Sequence, residues 1–317
     1  CMALSLPFAL AQAADIVPTR SVTANGMTVL FLEQHFLPTV EIHALVKVGS
    51  AQDPPDKAGL ANLTASLLDE GTLTRTSRQI AEQIDFVGGS LEAHAAEDFT
   101  TASTRVLKKD ADLGFALLAD MLQHPAFHKQ EFERVRTQIL GEIVSDDDDP
   151  GNVAMKAFHQ LIFHGHPYSW PAHGTEETLN KITVADIQQF HAREYLPNQT
   201  ILVIVGDLTQ EQAAALVQTH FGSWKKGPPS PYQIKKPASI ERKVVQLIEK
   251  DLTQSTIVLG HTGISRTNPD YYAVTVMNYI LGAGGFSSRL MDSIRDKQGL
   301  AYGIMSQFDT RLMPGAF

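Results

Sequence analysis

Cysteine is nearly absent: the 317-residue chain has one, Cys1, so no disulfide can form within it. A basic excess is absent as well. Lys and Arg number 26 against 35 Asp and Glu, a formal net charge of −9, and no Lys/Arg-rich run interrupts that balance. A nucleic-acid binder needs a basic face that dominates at long range, so that class is excluded. Beyond the opening residues, no run is long and apolar enough to span a bilayer. A nucleophile elbow, a phosphate loop and a dinucleotide fingerprint are also missing; "LGAGGFSS" is glycine-rich but lacks the Lys-Ser/Thr of a phosphate loop. What remains is ordinary globular material, 43% hydrophobic and 19% charged, long enough for two ordinary domains or one large one.

The opening "CMALSLPFALAQAAD" has an apolar stretch ending in Ala11-Gln12-Ala13, a small-x-small pattern typical of signal-peptidase cleavage, although no basic n-region precedes it. Residues 1–13 are therefore expected to be a signal-peptide remnant. The mature chain is expected outside the cytoplasm, in the periplasm or cell envelope. Cys1 is a poor lipid-anchor site, because the signal-like sequence follows it rather than precedes it.

From Ser21 the pattern is strand-like: "MTVLFLEQ" and then "TVEIHALVKVGSAQDPP" end in turn chemistry. Helices are predicted over 58–70 and 76–87, then a Gly-led strand pair in "GGSLEAHAAEDFTTASTRVL", then helices over 110–123 and 129–145. The run "DDDDPGN" reads as a solvated helix exit before Pro150, since a calcium loop needs spaced ligands and a glycine. A helix over 183–195, a buried strand in "QTILVIVGDL" and a helix over 209–221 follow. Residues 227–239, "GPPSPYQIKKPAS", are Pro-rich and lack apolar periodicity, the marks of a linker. After them "KVVQLIEKDLTQSTIVLGHTG" predicts two strands, followed by a helix over 269–281 and a Gly-rich turn. This order repeats the opening of the chain: strand, short turn, strand, loop, apolar helix, glycine. The fold class expected is α+β, a tandem repeat of two units over 14–226 and 240–317, the second incomplete because it stops well short of the first unit's length.

The histidines offer few metal sites. Pro125 separates His124 from His128, so they do not share one helical face. His164, His166 and His173 cluster in "FHGHPYSWPAH", where metal binding is one reading and loop packing with capping is the commoner one.

Several segments taken together resemble the pitrilysin/insulinase family of zinc peptidases, in the branch that includes mitochondrial processing peptidase. They are "VGSAQDPPDKAGLANLTASLLDEGT", "GGSLEA", "ILGEIVSDDDDP", "HPYSWPAHGTEETLNKIT", "YLPNQTILVIVGDL", "FGSW" and "GGFSSRLMDSIRDKQGLAYGIMS", in the family's order. The resemblance implies a helix that in catalytic members carries His-x-x-Glu-His, two zinc ligands and a general base, with a distant Glu as third ligand. At those positions this chain has Asn62, Ala65 and Ser66, while Glu142 keeps the third-ligand place and Val135 replaces a nearby second carboxylate. Ala65 has no group to take a proton, and one carboxylate with an amide and a hydroxyl is a poor zinc set. No metal or other cofactor is expected on this chain. The resemblance gives the His-Pro-Tyr segment no ligand role.

The resemblance also implies an Arg and a Tyr that reach across from the second unit to the zinc site; here they are Arg295 and Tyr302 in "SIRDKQGLAYG". A guanidinium and a phenol there donate hydrogen bonds to the tetrahedral oxygen and steady the peptide. Taken without the resemblance, Arg295 is an arginine on a helix face and Tyr302 a tyrosine that starts a strand with its ring in the core. Gly282, Gly284 and Gly285 are similar to a substrate-contacting glycine loop of non-catalytic processing subunits; otherwise they form a tight turn needing φ > 0. The strand at 90–106 is expected to offer an edge to an extended peptide. The first functional reading is an inactive subunit that pairs with a zinc-bearing partner, donates Arg295 and Tyr302, and helps cleave peptide substrates. The second is a structural or peptide-binding module of the same fold, and the third an enzyme with a different site.

Overall fold

Burial with a period of two shapes the first half of the chain. The computed structural model describes residues 17–228 and 234–317, and the expected signal remnant at 1–13 and part of the expected linker lie outside the described residues. Strands β1 (Thr19–Val22), β2 (Thr28–Glu33), β3 (Thr39–Val46), β4 (Ser90–Ala95), β5 (Thr100–Leu107) and β6 (Thr200–Gly206) form one six-stranded sheet in the order β1-β2-β6-β3-β5-β4. Val29 and Phe31, then Val40, Ile42, Ala44 and Val46, then Leu202 and Ile204 are all buried. The residues alternating with them are half-buried or exposed. One face of the sheet thus belongs to the core, and the other carries Glu41, His43, Glu92, Ser103 and Arg105, with Arg105 Nε 3.1 Å from Glu41. β6 runs parallel to β2 and antiparallel to β3, so the last strand made lies between two strands made early.

Helices cover the apolar face. They are α1 (Leu60–Ala65), α2 (Ser77–Phe86), α3 (Ala111–Gln123), α4 (Lys129–Asp148), α5 (Pro150–Ile162), α6 (Glu176–Leu179), α7 (Val184–Glu194) and α8 (Gln210–Phe221), with α9 (Tyr271–Asn278) in the second half. α3 packs on β5 and β3 through Phe115, Leu118 and Leu122, which join the main core. Thr76, Thr183 and Thr209 cap α2, α7 and α8, each accepting from the amide three residues on.

The acidic run ends α4 as predicted and also starts the next helix. α4 continues through Asp148, and Asp149 then caps α5, accepting the Asn152 amide at 2.9 Å with Pro150 in the first turn. Proline is well suited to that position, where its missing N–H has no helical partner. The run is largely exposed, and within it Asp147 pairs with Lys156 at 2.9 Å and Asp146 accepts from Asn152 Nδ2 at 3.0 Å.

The second half departs further from expectation. Residues 243–263 form no strand; the segment is largely exposed, and its one bridge joins Thr262 to Ala316. Alternating Val and Ile residues favour a strand only where another strand pairs with them, and none lies beside this segment among the described residues. The helix predicted over 269–281 is present as α9 and a π-helical continuation, Tyr279–Ala283. The end of the chain docks on the first unit. Arg311 reaches Glu97 at 3.0 Å and lies over the Tyr168 ring, while the Asp98 carboxylate accepts from the Tyr168 hydroxyl at 2.5 Å and the Leu312 amide at 2.7 Å. Ala51, Ile162, Phe163, Tyr168 and Ala316 form a small second core along this seam.

The core assignment has a direct test in urea unfolding. Phe115 is fully buried and Phe86 is 91% exposed. Phe115→Ala is expected to cost about 3–5 kcal/mol, and Phe86→Ala less than about 0.5 kcal/mol.

Candidate functional site

α1 is a short helix held from its N-terminal end. Asp53 lies ahead of it, and its two carboxyl oxygens accept the amides of Gly59 and Ala61, each at 2.9 Å. Gly59 has φ +98, a left-handed conformation, and a Cβ there would sit 2.6 Å from the carbonyl oxygen of His173. Burial pushes the Asp53 carboxyl up to about 8, against the backbone amides that favour its charged form. The helix ends sooner than the predicted 58–70, because Leu67 and Leu68 turn to carbonyls three residues back.

Asn62 and Ser66 stand one turn apart, the Ser66 amide bonding to the Asn62 carbonyl at 2.9 Å; both are half-buried, and Ala65 is buried. The frame for two ligands on one helical face is present, with an amide, a methyl and a hydroxyl in it. Glu142, on α4, is exposed and accepts from Gln138 one turn back on its own helix at 3.1 Å. Val135 is buried in the main core. These groups do not fit zinc, which takes converging His, Cys and carboxylate ligands. Among the described residues, no group of three or more His, Cys, Asp or Glu side chains is placed to hold a metal ion.

The histidine cluster is dispersed over separate partners. His164 is exposed, whereas His166 is buried, its Nδ1 accepting the Tyr168 amide at 3.1 Å. Its Nε2 therefore carries the proton and donates to the Lys235 carbonyl at 2.7 Å, so this ring caps and packs a loop. Burial lowers its pKa, in keeping with the neutral form. His173 stands 3.8 Å from Asp146. His124 pairs with Asp120, on α3 before Pro125.

The second half brings Arg295 and Tyr302 together. The Arg295 guanidinium carbon lies 5.0 Å from the centre of the Tyr302 ring and 4.8 Å from that of Phe286. Tyr302 is 89% exposed and lies outside any strand, which corrects the reading of it as a core tyrosine at a strand start. Arg295 sits in the π-helical stretch Met291–Asp296. The three glycines differ. Gly282 is buried, with Ser306 so close that a Cβ would meet its amide nitrogen at 2.5 Å, and Gly285 has φ +63, whereas Gly284 has an ordinary negative φ. The loop is therefore a tight turn that presents Phe286. Asp53 and Phe286 escaped sequence reasoning. Asp53 had a weak signal, an acid shortly ahead of a predicted helix, but a ring lying on a guanidinium has none.

Residues 28–176 match the family described as Insulinase (Peptidase family M16), and residues 181–317 match the Peptidase M16 inactive domain. An uncharacterized zinc protease of Rickettsia bellii is 31% identical over 293 residues, 92% of this chain and 70% of that protein. One of Mycobacterium leprae is 32% identical over 299 residues, 94% of this chain and 67% of that protein. The crystal structure of a peptidase M16 inactive domain from Pseudomonas fluorescens superposes with a TM-score of 0.90 at 31% identity, covering 95% of this chain and 73% of that one. The periplasmic protease PqqL of Escherichia coli shares the fold alone, with a TM-score of 0.65 at 18% identity over 71% of this chain and 26% of its own. The chain belongs to the M16 (insulinase) peptidase family and has its α+β architecture.

The Asp53 cap has a measurable pH signature. In the unfolded chain Asp53 ionises near 3.8, and in the folded protein near 8. Its contribution to stability is therefore complete below the unfolded value and is lost as pH rises through the folded one. Between pH 5 and 8, wild-type stability measured by urea unfolding is expected to fall relative to Asp53→Asn, by up to about 1.4 kcal/mol per pH unit. A difference independent of pH would refute the buried, protonated cap.

Proposed function

We propose that this chain is a non-catalytic M16 subunit that pairs with a zinc-bearing subunit and supplies Arg295 and Tyr302 to peptide cleavage at the partner's site. The observation that carries this reading is an asymmetry. α1 keeps the helical frame of a metal site without its donors, while Arg295 and Tyr302 lie together and Tyr302 is open to solvent. A decayed enzyme has no physical need for an exposed arginine–tyrosine pair. A complementing subunit does, because both groups can donate to a substrate carbonyl oxygen as negative charge develops on it. No cofactor is assigned to this chain, and zinc is assigned to the partner. β4, the outermost strand of the sheet, offers a peptide an edge for backbone pairing. Gly282, Gly284 and Gly285, proposed to contact substrate, shape the turn next to the pair. The opening segment supports export to the periplasm or cell envelope. Among the described residues, no helix is long and apolar enough to cross a membrane.

The test is cleavage of an unstructured fluorogenic peptide library by this chain, by an M16 subunit that has His-x-x-Glu-His, and by the two mixed. Activity is expected in the mixture, with none from this chain alone. Arg295→Ala and Tyr302→Phe are each expected to lower kcat by about 10²-fold, the usual effect of removing one donor to a developing oxyanion. Chelator-resistant cleavage by this chain alone would overturn the proposal. No gain on mixing would favour a structural or peptide-binding module instead.

A further inference from the structure

Three arginines in the second half lie against pairs of aromatic rings: Arg266 on the adjacent Tyr271 and Tyr272, and Arg311 and Arg295, whose surroundings differ in one respect. Arg311 lies 5.7 Å from the centre of Phe163 and 4.7 Å from that of Tyr168. Two nitrogens of its N–H edge are occupied as well: Nη2 reaches Glu97 at 3.0 Å and Asp309 at 2.7 Å, Nε donates to Asp309 at 2.8 Å, and the side chain is 8% exposed. Arg311 is a buried structural ion. Arg295 lies at similar distances from Phe286 and Tyr302 but makes no ion pair among the described residues. The nearest acid toward the N-terminus on its own stretch, Asp292, is taken by Lys297 at 2.6 Å.

A guanidinium binds aromatic rings through its flat face and oxygen acceptors through its N–H edge. Rings against the face hold the group's direction without consuming its donors. Phe286 is 76% exposed, so hydrophobic burial does not account for its place at the turn. Gly285, with φ +63, turns the chain there, and Phe286 follows in the 3-10 turn Gly285–Ser287.

We infer that Phe286 is a positioning residue that fixes the Arg295 guanidinium, its N–H edge free, for the oxygen of a bound peptide. The inference deepens the proposed function and rests on it, since Arg295 must meet the peptide for its direction to matter. The clamp holds the long arginine side chain in one orientation before substrate arrives, so that less freedom is lost in the reaction. Tyr302 has two tasks, as second ring of the clamp and as phenol donor. Phe286 has the first task alone, which makes it the position where holding and donating separate.

The test has two arms. In the first, the 15N-labelled chain alone is examined by NMR at the arginine Nε–Hε group, with Arg295 assigned by loss of its signal in Arg295→Lys. A ring-current shift and restricted motion are expected in the wild type. In Phe286→Leu the shift is expected to shrink and the order parameter to drop below about 0.6, the range of flexible groups, with Phe286→Tyr restoring both. In the second arm, the mixture with the zinc-bearing subunit is expected to lose about tenfold in kcat with Phe286→Leu at nearly unchanged KM, and to recover with Phe286→Tyr. An Arg295 signal indifferent to Phe286→Leu overturns the clamp, as does a freed Arg295 with unchanged kcat. If the wild-type mixture is silent, the pairing reading falls, while the Arg295 signal still decides whether Phe286 holds the guanidinium.

Discussion

Insertion of β6 between β2 and β3 is the constraint on which the first unit depends. β2 and β3 are neighbours in sequence, yet they do not pair with each other; each pairs along its length with residues 200–206. Leu202 and Ile204 are fully buried there, with Val40, Ile42 and Ala44 beside them in the core. Without β6 the sheet divides into two ribbons, β1-β2 and β3-β5-β4, and the helices lose the continuous apolar surface they cover. The intervening residues, 47–199, hold α1, α4 and the loops between them, so the geometry of the degenerate site depends on a strand that joins the sheet last in chain order.

On this scaffold α1 keeps its frame with Asn62, Ala65 and Ser66 standing on it. Asp53 closes the N-terminal end of α1 as a capping group should, and the backbone sets Asn62 and Ser66 one turn apart. Local capping and steric fit preserve such a frame whatever side chains project from it. Glu142 shows the other side of this. With no ligand set to join, it is exposed and bonded within its own helix. The fold and the side chains it carries are separable properties, since the frame of α1 is set by capping and packing rather than by the groups on its surface.

How much was legible in the sequence follows from the range of the forces involved. Strands β2, β3 and β6 were legible because each is a short run of β-branched and apolar residues ending in turn chemistry. The starts of α2, α7 and α8 fall within one residue of those predicted from helical spacing. The start of α5 is not legible, because Pro150 after an acidic run reads as a stop, whereas Asp149 and Pro150 together begin a helix. The strands expected over 243–263 failed for a different reason: a pattern selects a face but cannot supply the neighbour that makes a ladder. The ligand positions at Asn62, Ala65, Ser66 and Glu142 were read from resemblance, and the sequence alone shows what those side chains cannot do. The contact of Phe286 with Arg295 spans a turn and a π-helical stretch, and no spacing rule anticipates it.

The hairpin tip between β4 and β5 bears on the posture of the molecule. Glu97 and Asp98, at that tip, hold Arg311 and Leu312, and the Asp98 carboxylate also receives the Tyr168 hydroxyl. Residues 309–317 are thus tied to the rim of the sheet as well as to the end of α5. In mechanical terms the β4-β5 hairpin is a lever whose far end carries residues 309–317. A twist of the outermost strands that left every core contact intact would still be transmitted to the second half, and with it to the attitude in which Arg295 and Tyr302 are presented.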